Sequence, residues 1–322
     1  MIEVRDLRVH YGQYLAVDRL SFSVERGSVY GLIGPNGAGK TTTIRAIATL
    51  LEPTYGEIIV DGIPVLQQPE EARRKMGYMP DFPPVYDDLK VEEFCDLFAH
   101  AYGLIGQRKK EKVEECLELT NLQDKRKEFC KNLSRGMKQR ALLAKTLVHD
   151  PSVLLLDEPG ANLDPKARID LRNLLRQLAR DGRTILVSSH VLSELQDLCD
   201  AIGIMREGTM VVSGSMEEVV SQSSPGRVIR MELSTPCPGL EAIVEDMPSV
   251  SNLVSLGQSG LEYEINHQGD KADTARVLEQ LIKAGASVCG FHLKQSKVED
   301  LFLEVESGNL SANTDAKGER AS

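Results

Sequence analysis

The chain has 322 residues, 41% of them hydrophobic and 27% charged, which suits a soluble globular protein with a sizeable core and room for two domains. Its formal net charge is −10; this argues against general nucleic-acid binding, which wants a basic face. The charged, alternating start "MIEVRDLRVHYG" does not read as a signal peptide, and the longest apolar runs, such as "SVLLLDEP", are too short to span a bilayer.

Residues 1–33 alternate with the period of strands in "IEVRDLRV", "LSFSVERG" and "SVYGLIG". "KTTTIRAIATLL" (40–51) reads as a helix, "GEIIVDG" (56–62) as a strand and 69–76 as a short polar helix. The Pro- and Asp-rich "GYMPDFPPVYDDL" is expected to be irregular. From about 90 to 149 the spacing is helical, in "KVEEFCDLFAHAYGL", "KKEKVEECLELTNL" and "MKQRALLAKTLVHD". Strand–helix alternation resumes after Pro151. "SVLLLDEP" and "RTILVSSH" have the continuous apolar character of buried parallel strands. "PKARIDLRNLLRQLARDG" and "VLSELQDLCD" read as the helices between and after them, and "AIGIMREGTMVVSG" as a hairpin.

The composition places a main domain at 1–220, with a helical part at about 83–150, and a linker "SQSSPG" at 221–226. A small α+β domain follows at 227–306, then a tail at 307–322 too poor in apolar residues to fold. The six cysteines, Cys95, Cys116, Cys130, Cys199, Cys237 and Cys289, form no C-x-x-C pair and have no metal-like spacing with histidine. Reduced, mostly buried thiols are the expectation.

Between a predicted strand and a predicted helix stands "GPNGAGKTT": Gly34, Pro35, Asn36, Gly37, Ala38, Gly39, Lys40, Thr41 and Thr42. It fits the G-x-x-x-x-G-K-[ST] phosphate loop, in the structural context that gives the motif meaning. Glycines let backbone N–H groups turn inward toward phosphate oxygens, and the helix N-terminus adds its positive dipole end. Lys40 would reach the β- and γ-phosphates of a nucleoside triphosphate, of a kind the motif alone leaves open, and the Thr41 hydroxyl would ligate Mg²⁺.

Asp157 and Glu158 close the buried strand "SVLLLDEP", on the sheet edge where open α/β folds bind ligands. Asp157 would hold Mg²⁺, through water, and Glu158 would orient or deprotonate the attacking water. His190 ends "RTILVSSH", so it emerges on the same edge, where it can hydrogen-bond the γ-phosphate. A lone histidine there is otherwise a structural residue.

In "LSRGMKQR" (133–140) a serine and a glycine open another predicted helix. With the order phosphate loop, helical insert, "LSRGM", carboxylate strand, the chain resembles the ATP-binding subunits of ABC transporters over residues 1 to about 220. The family's signature is Leu-Ser-Gly-Gly-Gln; Leu133, Ser134 and Gly136 match it, while Arg135 and Met137 depart.

The resemblance implies a P-loop, RecA-like α/β core with an N-terminal antiparallel β subdomain and a helical insert, beside the small C-terminal α+β domain. It implies ATP hydrolysis with Mg²⁺ as cofactor. It also implies a head-to-tail pair, of two copies or with a paralogue, in which Ser134 and the amides around Gly136 close over the γ-phosphate held by the other subunit. A plain N-capping role for Ser134 is compatible with that.

Tyr11 matches the residue that stacks on adenine, with Tyr14 as a competitor. Asp164, in "ANLDP", would lie near the dimer seam, with Ala161 and Asn162 where the family usually has Ser and Gly. Asp81 stands where the family usually has Gln reaching Mg²⁺ and the lytic water. A carboxylate there can bind the metal, directly or through water, or slow turnover.

"KVEDLFLEV" (297–305) and "MKQR" resemble export-type subunits for drugs and antibiotics. The expected partner is an integral membrane permease, which would hold the chain at the inner face of the cell membrane. No nucleic-acid partner is expected. An importer ATPase, or an ABC-type ATPase acting on a macromolecular complex, is the alternative reading. A P-loop kinase or GTPase fits poorly with the signature and with Glu158.

Overall fold

The computed structural model describes residues 1–81, 85–161, 163–222, 227–245, 247, 250–256, 260–267 and 271–294. The described residues fall into two compact units, the first Met1–Met216 and the second beginning at Glu217.

The first unit begins with strands β1 (Ile2–Tyr11) and β2 (Tyr14–Val24), then β3 (Val29–Ile33) and helix α1 (Lys40–Ile47). Next come β4 (Tyr55–Val60), β5 (Ile63–Pro64), α2 (Pro69–Lys75) and β6 (Met76–Met79). Three helices follow, α3 (Val91–Ala101), α4 (Gly106–Leu119) and α5 (Arg135–Leu147). The unit continues through β7 (Val153–Leu156), α6 (Pro165–Arg180), β8 (Thr184–Ser189), α7 (Leu192–Leu195), β9 (Ala201–Arg206) and β10 (Thr209–Ser215).

Two sheets form. One is antiparallel, in the order β2-β1-β4-β5; the other runs β10-β9-β3-β8-β7-β6 and is parallel from β9 to β6. On β1, Ile2 and Val4 alternate inward, then the register shifts and Asp6 takes a φ of 47°. That bulge flips the parity, so Leu7 and Val9 also point into the core. The core joins this face to α1 and the parallel sheet through Leu20, Ile44, Ile58, Leu155 and Leu186.

Three expectations need correction. The period-two pattern stops at Val24: all five residues of β3 are buried, because it is a central parallel strand. "GYM" is not irregular; it belongs to β6, the edge strand paired with β7. A Cβ at Gly77 would lie 2.8 Å from the Thr146 carbonyl oxygen, so only glycine lets this strand run so close to α5. The helix expected from Val191 to Asp200 is a single turn at α7. The insert α3–α5 is helical as read, packed on Phe94, Cys95, Val113, Cys116, Leu142 and Leu147.

A short helix, α8 (Met216–Gln222), follows β10 and enters the stretch read as a linker. The second unit then gives β11 (Arg227–Leu233), α9 (Leu240–Glu245), β12 (Val250–Leu256), β13 (Glu262–His267), α10 (Lys271–Lys283) and β14 (Val288–Lys294). With sheet order β12-β13-β11-β14, this is a βαββαβ ferredoxin-like unit. Its core is Ile229, Met231, Leu240, Ile265, Val277 and Leu281. Asn162, positions 223–226 of the linker, the motif at 297–305 and the tail at 307–322 lie outside the described residues.

Leu155 is fully buried in the middle of β7, whereas Leu97 on α3 is 45% exposed. Leu155→Ala should cost about 2–5 kcal/mol in urea unfolding. Leu97→Ala should stay within about 0.5 kcal/mol of the parent.

Candidate active site

The site sits at the carboxyl edge of the parallel sheet, where β3, β7 and β8 end. β3 delivers the chain into the 34–42 loop. A Cβ at Gly34 would collide with the Met205 carbonyl oxygen, and one at Gly39 would lie 2.8 Å from that of Ala16. Gly37 and Gly39 also have φ values of 86° and 102°, conformations that favour glycine. Gly39 is the N-cap of α1, so the first N–H groups of that helix open toward the cleft.

Lys40 follows immediately, and only 5% of its surface is accessible. Its ammonium donates to the carbonyl oxygens of Gly34 at 2.6 Å and Pro35 at 3.3 Å, and lies 3.5 Å from Glu158 Oε1. The loop therefore supplies the neutral half of the lysine's bonding, and a carboxylate supplies the charge. Beside it, Thr41 Oγ1 donates to Asp157 Oδ1 at 3.1 Å.

Asp157 is buried at the end of β7, and its N–H donates to the Met79 carbonyl oxygen of β6 at 2.9 Å. Its Oδ1 also accepts from Ser188 Oγ at 2.7 Å. Glu158 turns sharply with a φ of 49°, a left-handed conformation that a non-glycine residue holds only when its surroundings enforce it. Its N–H donates to Ser188 Oγ at 3.0 Å. Its Oε2 pairs with His190 Nδ1 at 2.8 Å. A carboxylate only accepts, so the imidazole places a proton on Nδ1 and leaves Nε2 for another partner.

Asp81 completes the rim. Its Oδ1 is buried without a hydrogen-bond partner among the described residues. Burial raises its pKa, and the charges of Asp157 and Glu158 raise it further, opposed by His190 and Arg135. Asp81 Oδ1 can thus accept from a ligand, although among the described residues no three His, Cys, Asp or Glu side chains are gathered closely enough to hold a metal ion by themselves. The Thr41 hydroxyl and the Asp157 and Asp81 carboxylates form an all-oxygen donor set that fits a hard cation such as Mg²⁺.

Most of the sequence-predicted residues meet in one cleft. It is lined by Tyr11, Tyr14, residues 36–42, Asp81, Glu158, Ala161 and His190, with Asp157 just beneath through Thr41. Both tyrosines are exposed, Tyr11 at 47% and Tyr14 at 61%. The cleft's lining includes none of Leu133, Ser134, Arg135, Gly136, Met137 or Asp164. Ser134 caps α5 by accepting from Met137 N–H at 3.3 Å. Asp164 caps α6 by accepting from Ala167 N–H at 2.9 Å. Both are exposed, while Leu133 is buried beneath.

No sequence motif marks Ser188. The only signal was a pair of hydroxyls, Ser188 and Ser189, interrupting an apolar strand just before His190.

A glycine loop, a buried lysine, and acids gathered at the sheet edge define a P-loop nucleotide hydrolase. The ABC transporter family model matches residues 17–161. Nod factor export ATP-binding protein I of Burkholderia orbicola is 39% identical over 68% of this chain and 72% of its own length. The uncharacterized ABC transporter ATP-binding protein YxlF of Bacillus subtilis is 33% identical over 95% of this chain and 99% of its own. The bacitracin transport ATP-binding protein BcrA of Bacillus licheniformis is 31% identical over 96% and 98%. A solved structure of an ATP binding subunit of an ABC transporter superposes with a TM-score of 0.63 at 33% identity, covering 69% of this chain and 92% of that one. The chain belongs to the ATP-binding proteins of ABC transporters, and its cassette binds and hydrolyses ATP.

Asp81 yields a prediction with a definite sign. A carboxyl whose folded pKa is raised costs stability as pH climbs from about 3.9, its unfolded value, through the folded value. Asp81→Asn should therefore raise the melting temperature of the nucleotide- and metal-free protein at pH 7.5. The gain should shrink toward zero as the pH approaches about 4. Differential scanning fluorimetry across that range measures both.

Proposed function

We propose that this chain is the ATPase motor of an exporter, working as a pair of cassettes beneath a separate membrane permease. Among the described residues no helix is long and apolar enough to cross a membrane, and in this reading translocation falls to a separate permease. Export is supported by relatives named for Nod factor export, bacitracin transport and linearmycin resistance.

The observation that carries the paired arrangement is the placement of Ser134. It stands exposed at a helix N-terminus, outside the cleft that holds Lys40, Glu158 and His190. A second subunit's Ser134 and the amides near Gly136 would complete the anion site from the other side. Asp164 would lie at the same seam.

Within each cleft the residues divide the work. The backbone N–H groups of residues 36–42 and the Lys40 ammonium bind the phosphates of ATP, and Tyr11, with Tyr14 beside it, offers an aromatic face to the base. When phosphate oxygens enter, Lys40 exchanges its hold on the Gly34 and Pro35 carbonyls and on Glu158 for them. That frees the Glu158 carboxylate to orient water and accept its proton. His190, held on Glu158 through Nδ1, presents its ring edge to the γ-phosphate, and a hydrogen bond to that anion needs a proton on Nε2 as well. Thr41, Asp157 and Asp81 would hold Mg²⁺, which would supply positive charge to offset that of the phosphates. Hydrolysis removes the γ-phosphate that joins the two subunits, and they part.

Glu158→Gln keeps the size and hydrogen-bonding shape while removing the base. It should bind ATP like the parent, lose at least ~100-fold in turnover, and run as a dimer with ATP in light scattering. Turnover at the parent rate would remove Glu158 from the role of base.

A further inference from the structure

We propose that Ser188 is a positioning residue that sets both carboxylates of the site through one hydroxyl. Its side chain is wholly buried at the end of β8. As donor it engages Asp157 Oδ1 at 2.7 Å, and as acceptor it takes the Glu158 N–H at 3.0 Å. Two adjacent residues with different tasks are thus tied to a single atom on the neighbouring strand.

The two bonds do different things. Asp157 Oδ1 lies between two hydroxyls, Ser188 Oγ and Thr41 Oγ1, so the carboxyl plane is fixed from both sides. The bond to the Glu158 N–H helps hold the peptide in its φ of 49°. That turn sends the Glu158 side chain toward Lys40 and His190. A hydroxyl can donate once and accept at the same time, whereas a methyl group can do neither. Alanine at 188 would strip the Glu158 N–H and one Asp157 lone pair of partners in a buried place.

The neighbouring Ser189 is used otherwise. Its Oγ donates to Glu194 Oε2 at 3.0 Å and accepts from the Val191 N–H at 3.0 Å, shaping the turn that carries His190. The two serines therefore divide the site: Ser188 serves the acids, Ser189 the histidine turn.

This inference rests on Thr41 and Asp157 forming the Mg²⁺ side of the site. Groups behind a metal ligand commonly change metal affinity 10- to 100-fold. The test is fluorescence titration with TNP-ATP, in EDTA and then at graded Mg²⁺, on the full chain. Ser188→Ala should bind TNP-ATP in EDTA as the parent does. It should need about 10- to 100-fold more Mg²⁺ for the metal-dependent response, and its kcat should fall with little change in KM. Ser188→Thr, which keeps the hydroxyl, should restore both.

An unchanged Mg²⁺ requirement in a folded Ser188→Ala protein would overturn the proposal. Equal loss of binding in EDTA and in Mg²⁺ would also overturn it, by reducing Ser188 to scaffold. If Ser188→Ala fails to fold, Ser188→Cys takes its place. That variant keeps the volume with a weaker donor, and the same two outcomes decide. Thr41→Ala separates the levels: if it keeps the parent's Mg²⁺ response, the metal assignment fails, and not the role of Ser188 alone.

Discussion

The site depends on backbone meeting backbone without a Cβ in between. The 34–42 loop can curl around an anion only because Gly34 sits against the Met205 carbonyl and Gly39 against that of Ala16. Any larger residue would push the loop off β9 and β2. The N–H groups at the start of α1 would then no longer converge. This close approach also turns the Gly34 and Pro35 carbonyls inward, where they hold the buried Lys40 ammonium. One steric condition thus aligns the helix dipole, the amides and the lysine on the same point.

Electrostatics then explains the rest of the cleft. Asp81, Asp157 and Glu158 lie close enough for the latter two to raise the pKa of the first. Lys40 and His190 engage Glu158, and Thr41 and Ser188 donate to Asp157. Asp81 Oδ1 is left without a partner among the described residues. In the proposed mechanism a bound nucleotide brings a cation to these acids, and its phosphates recruit Lys40 away from Glu158. Binding and activation of the base are in this account the same event. The strained turn at Glu158 is its structural cost.

Much of this was legible in the sequence, for physical reasons. A glycine loop between a strand and a helix has few other uses, and Asp157 and Glu158 at the end of an apolar strand must emerge at the sheet edge. Asp81 was visible as a departure from the family's glutamine, although its orphaned oxygen was not. Ser188 was hidden because serine in a buried strand looks like an interruption, and its value comes from residues 31 and 30 positions earlier in the chain. The strand β6 was masked by the Pro- and Asp-rich stretch that begins right after it. In the second unit, β12 and β14 carry serines, a glycine and a histidine among their apolar residues, so the βαββαβ order appeared only with strand pairing.

The central claim is that each ATP is enclosed by parts of two chains, Lys40 on one and Ser134 on the other. Mixing two variants tests it directly. Lys40→Ala spoils the cleft and Ser134→Arg spoils the lid, and each alone should be inactive. When equal amounts are mixed, each mixed pair contains one site with an intact Lys40 facing an intact Ser134. The account predicts that ATPase activity returns on mixing. A mixture as silent as its components, or a lone Ser134→Arg protein with full activity, would contradict it.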